Sequence, residues 1–129
     1  MGKKYLIDTN VISHLFANRL PASGMQFVKN VIDDDFIISV AVEIEVLTNH
    51  EIPGKMPLIE NFISLATVLL LDKDVTKKAI ELRRSYTKLK LGDAIIAATD
   101  VVHDLILVTN NIKDFKNIAS LTIIDPHAL

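Results

Sequence analysis

Four stretches of this chain set acids or amides directly behind apolar runs. Asp8 follows Tyr5-Leu-Ile7, within Leu6-Ile-Asp-Thr-Asn10. Glu43 and Glu45 fall in the first turns of a helix expected behind Phe36-Ile-Ile38. Asp93 follows Leu91-Gly92, and Thr109-Asn-Asn111 follows Leu105-Ile-Leu-Val108, with Asp114 on the same loop. In an open α/β sheet the working site lies beyond the carboxyl ends of the strands, which makes these the residues placed to meet. There is no cysteine, and the four histidines (His14, His50, His103, His127) show no ligand spacing and read as surface or helix-end residues. Carboxylates on one edge without thiolate or paired imidazole suit a hard cation such as Mg²⁺ or Mn²⁺, which prefers oxygen where zinc prefers nitrogen and sulfur.

Each acid also has a plain structural role open to it. Asp8 can end its strand and cap a helix beginning near Val11, although a carboxylate against a buried strand is costly unless paired. Glu45, among Ile44, Val46 and Leu47, is open to burial beside a cation or to simple exposure. Asp93 alone reads as an N-cap, Asp114 as a turn residue, and Asp33-Asp34-Asp35 as a solvated loop. Asp100 and Asp104 share a helix face with Asp93. Asp100, however, stands about 10.5 Å further along the axis, outside one cation's reach, so both are expected to face solvent or an interface. The acids gain weight from their common edge.

The elements that must position them are legible as short apolar runs alternating with helical segments. The chain has 129 residues, 50% hydrophobic and 23% charged, with a mean hydropathy of +0.34. That describes one domain, 1–129, with a substantial core, and excludes intrinsic disorder. Strands are expected at Tyr5–Ile7, Phe36–Ile38, Val68–Leu71, Leu105–Val108 and Leu121–Ile124, each apolar on both faces as in a covered parallel sheet. Helices are expected at Val11–Asn18, from a Ser23/Gln26 capping box toward Ile32, at Val40–Asn49 capped by Ser39, and from Pro57 to Ala66. Two more run from Lys73 to Leu89, capped by Asp72, and from Asp93 to His103. Val75, Ala79, Leu82, Tyr86 and Leu89 form one apolar stripe on the first of these. The result is a three-layer α/β domain, a mainly parallel five-stranded sheet flanked by helices, with His50–Pro57 as a surface loop. The two successive helices do not fit a plain crossover.

The longest apolar run, Phe62–Leu71, is broken by Ser64 and Thr67, far short of the roughly 20 residues of a membrane helix. No signal peptide or myristoylation motif is readable, so a soluble cytoplasmic protein is expected. The net charge of −2 is unlike that of a protein that coats nucleic acid constitutively, but permits a local basic face.

Tyr5-Leu-Ile-Asp-Thr-Asn-Val-Ile12, Ile38-Ser-Val-Ala-Val-Glu-Ile-Glu-Val-Leu47, Leu91-Gly-Asp-Ala-Ile-Ile-Ala-Ala-Thr99 and Leu107-Val-Thr-Asn-Asn-Ile-Lys-Asp-Phe115 occur in one order across nearly the whole chain. In that order they resemble the PIN-domain ribonucleases, specifically the small VapC-type toxins of toxin–antitoxin pairs. The third segment is the most specific. The resemblance places the family's acids on Asp8, Glu45 and Asp93, as ligands of Mg²⁺ or Mn²⁺. Glu45 is preferred to Glu43 because it directly precedes an aliphatic pair, Val46-Leu47, and Glu43 stays open. Asn111 stands at the fourth catalytic position, where many relatives carry aspartate. This lowers the site's charge by one and leaves a second metal open, with Thr109 and Asp114 as accessory residues.

The resemblance further implies an endoribonuclease that hydrolyses phosphodiesters with a metal-activated water, working as a homodimer and silenced by a cognate antitoxin. The antitoxin's tail would set a basic side chain, an arginine above all, across the acids. Seven of the fourteen Lys/Arg lie between Lys73 and Lys90. Lys73, Lys77, Arg84 and Lys88 share a helix stripe that either contacts the RNA backbone or is an ordinary solvated face. Two other classes compete. One is a receiver-like phosphoacceptor domain with Asp72 as the modified residue; the other is a PIN-like RNA-binding module whose site is degenerate at Asn111.

Overall fold

Every apolar run read as a strand forms one, at two or three residues: β1 (Tyr5–Ile7), β2 (Ile37–Ser39), β3 (Thr67–Leu69), β4 (Ile106–Val108) and β5 (Ile123–Ile124). The structure is a computed structural model that describes residues 2–48 and 54–129. Asn49, His50 and the first part of the expected His50–Pro57 loop lie outside the described residues. All pairings are parallel: β1 with β4, β4 with β5, and β2 with β3. β2 lies beside β1 with no ladder joining them, so the expected five-stranded sheet is realised as a three-stranded and a two-stranded ladder. Leu6 and Ile7 of β1 and Ile38 of β2, on the two strands either side of the seam, are fully buried.

The resulting order, β3-β2-β1-β4-β5, overturns the receiver reading. A phosphoacceptor after β3 would have to stand next to Asp8, yet β2 and β4 are the neighbours of β1 and β3 lies at the edge. Asp72 instead accepts from the Val75 backbone N–H at 2.9 Å and caps the helix that follows.

The helices are α1 (Thr9–Phe16), α2 (Ala22–Asp34), α3 (Val40–Thr48), α4 (Met56–Ile63), α5 (Lys73–Ser85), α6 (Leu91–Val102) and α7 (Ile112–Phe115), with a closing 3₁₀ turn at Pro126–Ala128. Ser39 caps α3 as expected, its hydroxyl accepting from the Val42 N–H at 3.2 Å. The Ser23/Gln26 capping box does not form. Pro21 precedes the first turn of α2, and Gln26 donates instead to Asn30. Asp33 and Asp34 close α2 rather than forming a loop, and Asp35 pairs with Lys4 at 2.6 Å. Neither α7 nor the 3₁₀ turn was legible, each being too short to show a period.

The two successive helices resolve into a packed pair, with α6 between the sheet and α5. Ala94, Ala97 and Ala98 of α6 are buried, and their small side chains let both neighbours approach closely; α5 answers with Val75, Ala79 and Leu82. This packing corrects two expectations. Helix α5 ends at Ser85 because Tyr86 leaves helical geometry (φ −120°, ψ 83°), which lets Leu89 turn into the core from a loop. Asp100, expected on the surface, is only 1% exposed, because α6 is covered on both sides. Asp104 does face solvent, where it pairs with Lys3 at 3.0 Å.

Gly24 is required where α2 crosses the C-terminal turn. A Cβ there would lie 1.9 Å from the Pro126 carbonyl oxygen, so no larger residue fits without displacing that turn. Among the described residues no helix is long and apolar enough to cross a membrane.

Candidate active site

The loops that leave β1 and β4 are tied together over Asp8. Asp8 caps α1, its Oδ1 accepting from the Thr9 N–H at 2.8 Å. Its Oδ2 accepts from the Thr109 hydroxyl at 2.7 Å and from Asn10 Nδ2 at 3.0 Å. Asn10 in turn accepts from the Asn110 N–H at 2.9 Å, and the Thr109 hydroxyl accepts from the Asn111 N–H at 2.9 Å. Asp8 therefore does serve as a cap, and it is also 4% exposed and held by the side chains of Asn10 and of Thr109, the latter about a hundred residues away in sequence. That is more fixing than a cap requires.

Glu45 reaches the same place from α3, where its Oε1 accepts from the Thr9 hydroxyl at 3.3 Å. Asp93 arrives from the first turn of α6, which begins at Leu91 behind Lys90, so Asp93 is not the N-cap. The α6 terminus lies against Glu45: a Cβ at Gly92 would stand 3.8 Å from Glu45 Oε1. Together Asp8, Asn10, Glu45, Asp93 and Asn111 line a cleft of about 240 Å³. Glu43, two residues from Glu45 and so on the opposite side of α3, does not line it. Asp114, in the first turn of α7, accepts from Asn111 Nδ2 at 2.8 Å.

Burial first, and one another's charge second, raise the acids. Burial pushes the Asp93 carboxyl up to about 6, with the charges of Asp8, Asp114 and Glu45 adding to it and Lys90 opposing. Burial and then Asp8 raise Glu45. Burial also raises Asp8, with a smaller push from Asp114, against the hydrogen bonds of Thr109, Thr9 and Asn10. Such a cluster is a standing cost to the fold, relieved by a cation. Among the described residues no three carboxylate or imidazole groups close on a point tightly enough to clasp an ion outright. Mg²⁺ and Mn²⁺ do not need that: Mg²⁺ typically keeps several waters and takes one or two protein carboxylates with substrate phosphate. The three carboxylates fit a hydrated hard cation; His14 also lines the cleft, with its ring paired to His127.

Of the four cations expected on one stripe, Lys88 alone is near this cleft. The stripe breaks where α5 ends, and Lys88 lines a hollow that shares Asp93 with the cleft. Arg84 lines a separate apolar hollow with Ile80 and Leu91, and Lys73 and Lys77 line neither. Sequence reasoning also missed the pairing of His14 with His127, whose ring nitrogens lie 2.8 Å apart. Asp125 was missed too; it accepts from Asn110 and from the His127 N–H, fastening the C-terminal turn to the site's rim. Nothing in the local sequence signals contacts between positions so far apart.

A family model for the PIN domain matches residues 5–121. The chain belongs to the PIN domain family. Among solved structures, this PIN domain is similar to a toxin–antitoxin complex from Klebsiella pneumoniae, at 28% identity and a TM-score of 0.75, covering 95% of this chain and 98% of that one. It is similar also to a DNA-bound VapBC from Salmonella typhimurium, at 25% identity and a TM-score of 0.78, covering 97% and 99%. VapBC2 from Rickettsia felis, bound to a DNA fragment from its promoter, shares the fold at 23% identity and a TM-score of 0.77, covering 93% and 96%. No curated protein matches. The PIN domain's parallel sheet and flanking helices are those expected from the sequence.

Proposed function

We propose that this PIN domain is a metal-dependent endoribonuclease, the toxin of a type II toxin–antitoxin pair, working in the cytoplasm. The observation that carries this reading is the convergence of Asp8, Glu45 and Asp93, from β1, α3 and α6, on one cleft. The likeness to chains of toxin–antitoxin complexes supports the toxin role.

Asp8, Glu45 and Asp93 would hold Mg²⁺ or Mn²⁺. Bound there, the cation would offset charge on the phosphate and lower the pKa of water enough for attack at neutral pH. The chain's residues set the geometry. Thr109 and Asn10 fix the Asp8 carboxylate so that it does not reorient when the site fills. Thr9 positions Glu45 from the same turn that Asp8 caps. Asn111 contributes an amide in place of a fourth acid and draws Asp114 toward the rim. Lys88 adjoins the cleft and meets the phosphate backbone close to the scissile bond, while Lys73 and Lys77 serve a longer RNA along α5; Arg84, which lines the apolar hollow with Ile80 and Leu91, belongs to the other face.

Leu71, Ile80 and Leu91 are exposed apolar residues around a hollow of about 410 Å³ on the α5–α6 face, which supports a homodimer through that face. An antitoxin tail bearing arginine suits the acid cleft, since one guanidinium can fork onto two carboxylate oxygens. Asn111 alone favours a degenerate, RNA-binding site, and three retained acids outweigh it. The test is cleavage of a structured RNA by the purified protein: Mg²⁺ or Mn²⁺ supports cutting and EDTA stops it. Cutting that survives EDTA contradicts the reading. So does a protein that never arrests growth on expression and has no partner gene beside it, for the toxin role.

A further inference from the structure

Beside the acid cleft lies a second hollow, of about 440 Å³, between the α5–α6 loop and α7. The two share Asp93. The buried side chains of Leu89 and Ile118 contribute an apolar lining. Tyr86, half-buried, contributes an aromatic ring, and Lys88, Lys90 and Lys113 are exposed around it. Among the described residues none of these three lysines forms an ion pair. They come from two separate elements, so their grouping is a product of the fold and not of one basic run.

The contrast with the neighbouring cleft is chemical. The cleft gathers three carboxylates with the amides of Asn10 and Asn111, two hydroxyls and the His14 ring, and its carboxylates repel phosphate unless a cation is bound. The hollow sets an aromatic face and three ammonium groups that form no ion pair against two carboxylates, Asp93 and Asp114. Cations outnumber acids there, and a ring beside surplus ammonium groups is the combination that grips single-stranded nucleic acid by stacking and charge. Its volume falls in the range of sites that enclose one small-molecule-sized unit. Tyr86, the residue at which α5 stops, packs partly against the core and lines the hollow with the part that stays exposed.

We infer that this hollow is a nucleotide subsite: it receives the nucleotide flanking the scissile phosphate, its base on Tyr86 and its phosphate among Lys88, Lys90 and Lys113. The inference rests on the ribonuclease reading for what is cut, and extends it to where the adjoining strand is held. Tyr86 is a binding residue here and touches no reacting atom. Because stacking is tolerant of base identity, the subsite supplies affinity and direction more than sequence choice.

The chain has two tyrosines and no tryptophan, so ring-labelled tyrosine gives two signals by NMR. Tyr5, its ring centroid 5.4 Å from that of Phe27, is the internal reference. A short 5′-phosphorylated oligoadenylate is titrated into the protein in EDTA at low salt, with Tyr86→Phe assigning the signals. The Tyr86 resonance moves and Tyr5 does not. Tyr86→Ala weakens binding about ten-fold while Tyr86→Phe, which keeps the ring, stays within about two-fold. Lys90→Gln with Lys113→Gln flattens the salt dependence of binding. In cleavage assays Tyr86→Ala and Lys113→Gln raise KM and leave kcat near the parent value.

A Tyr86 signal unmoved at high RNA, or affinity indifferent to Tyr86→Ala in a folded variant, overturns the subsite. A signal moved by polyglutamate and not by oligoadenylate assigns the hollow to an acidic peptide and overturns it equally. The two readings separate cleanly. Cleavage with an unmoved Tyr86 removes the subsite and keeps the nuclease; a moved Tyr86 without metal-dependent cleavage does the reverse.

Discussion

The hydroxyl of Thr109, at the end of β4, donates to Asp8 Oδ2, at the end of β1, at 2.7 Å. One side chain therefore couples the position of a site acid to the loop that carries Asn111, whose N–H the same hydroxyl accepts at 2.9 Å. Thr109 is fully buried, so no water replaces it. Thr109→Val keeps the volume but removes both bonds and a third, accepted from Asn10 Nδ2 at 3.2 Å. Cleavage falls by about 10–100-fold, the usual cost of losing a partner that orients a ligand. Thr109→Ser recovers most of it. A Val variant as active as the parent and equally stable would show that Asp8 needs no fixing.

Glu45 and Glu43 make a matched pair for comparison, since they share α3 and point to opposite sides of it. Glu45→Gln removes a charge from the cleft and abolishes most metal-dependent cleavage. Glu43→Gln, outside the cleft, leaves cleavage near the parent value. Initial rates at saturating Mn²⁺ decide it, and the reverse order of effects would move the second acid to Glu43.

Without metal, the acid cluster works against the fold. Asp93 is held at about 6, above the ordinary 3.8, by burial and then by Asp8, Asp114 and Glu45. Its folded-state pKa is raised, so this carboxyl's contribution to stability is full below about pH 4 and is lost as pH rises through about 6. The metal-free protein accordingly melts lower at pH 7.5 than at pH 5.5 where this group dominates. Asp93→Asn raises the metal-free Tm at pH 7.5 and narrows that difference. Asp8→Asn gains less, because it disturbs the bonds from Thr9, Asn10 and Thr109. A lower Tm for Asp93→Asn at pH 7.5, by calorimetry in EDTA, would mean that the residue is structural.

How much of this was readable follows from the range of each signal. Apolar runs of three or four residues announced all five strands; β1, β2 and β4 are the covered ones, where nothing polar is needed, while β3 and β5 at the edges are only partly buried. Asp8, Glu45 and Asp93 were visible as acids behind such runs and by their family pattern, and the fold brings them to one cleft. What the sequence hid depends on coverage and on contacts between distant positions. Asp100 looked solvent-facing because its spacing from Asp93 says nothing of α5 lying over α6. Tyr86 looked like one more core position until the helix ended beneath it, and Lys88 left its stripe for the same reason. The His14–His127 pair joins positions that no local pattern connects.

Asp100 offers a second pH test, away from the site. Burial pushes its carboxyl up to about 8, Lys3 pulling it down and Asp104 pushing it further. Its Oδ1 has no hydrogen-bond partner among the described residues. The sign is again that of a raised acid: it keeps its proton on folding, and stability drains as pH rises from about 4 to about 8. Asp100→Asn, neutral at every pH, stabilises the protein at pH 8.5 and much less at pH 5. Equilibrium urea unfolding at both pH values measures this, and an Asn variant less stable at both would show that the carboxylate is held by favourable contacts.

Single-turnover cleavage of one defined RNA, run in Mn²⁺ with the parent protein and with an equally folded Asp93→Asn, bears on the whole scheme at once. Asp93 is the acid that the cleft and the neighbouring hollow share. The expected result is cutting by the parent that EDTA abolishes, and a rate at least about 100-fold lower for Asp93→Asn at any Mn²⁺ concentration. Equal rates for the two proteins, or cutting by the parent that EDTA does not touch, would contradict metal-dependent ribonuclease chemistry at this site.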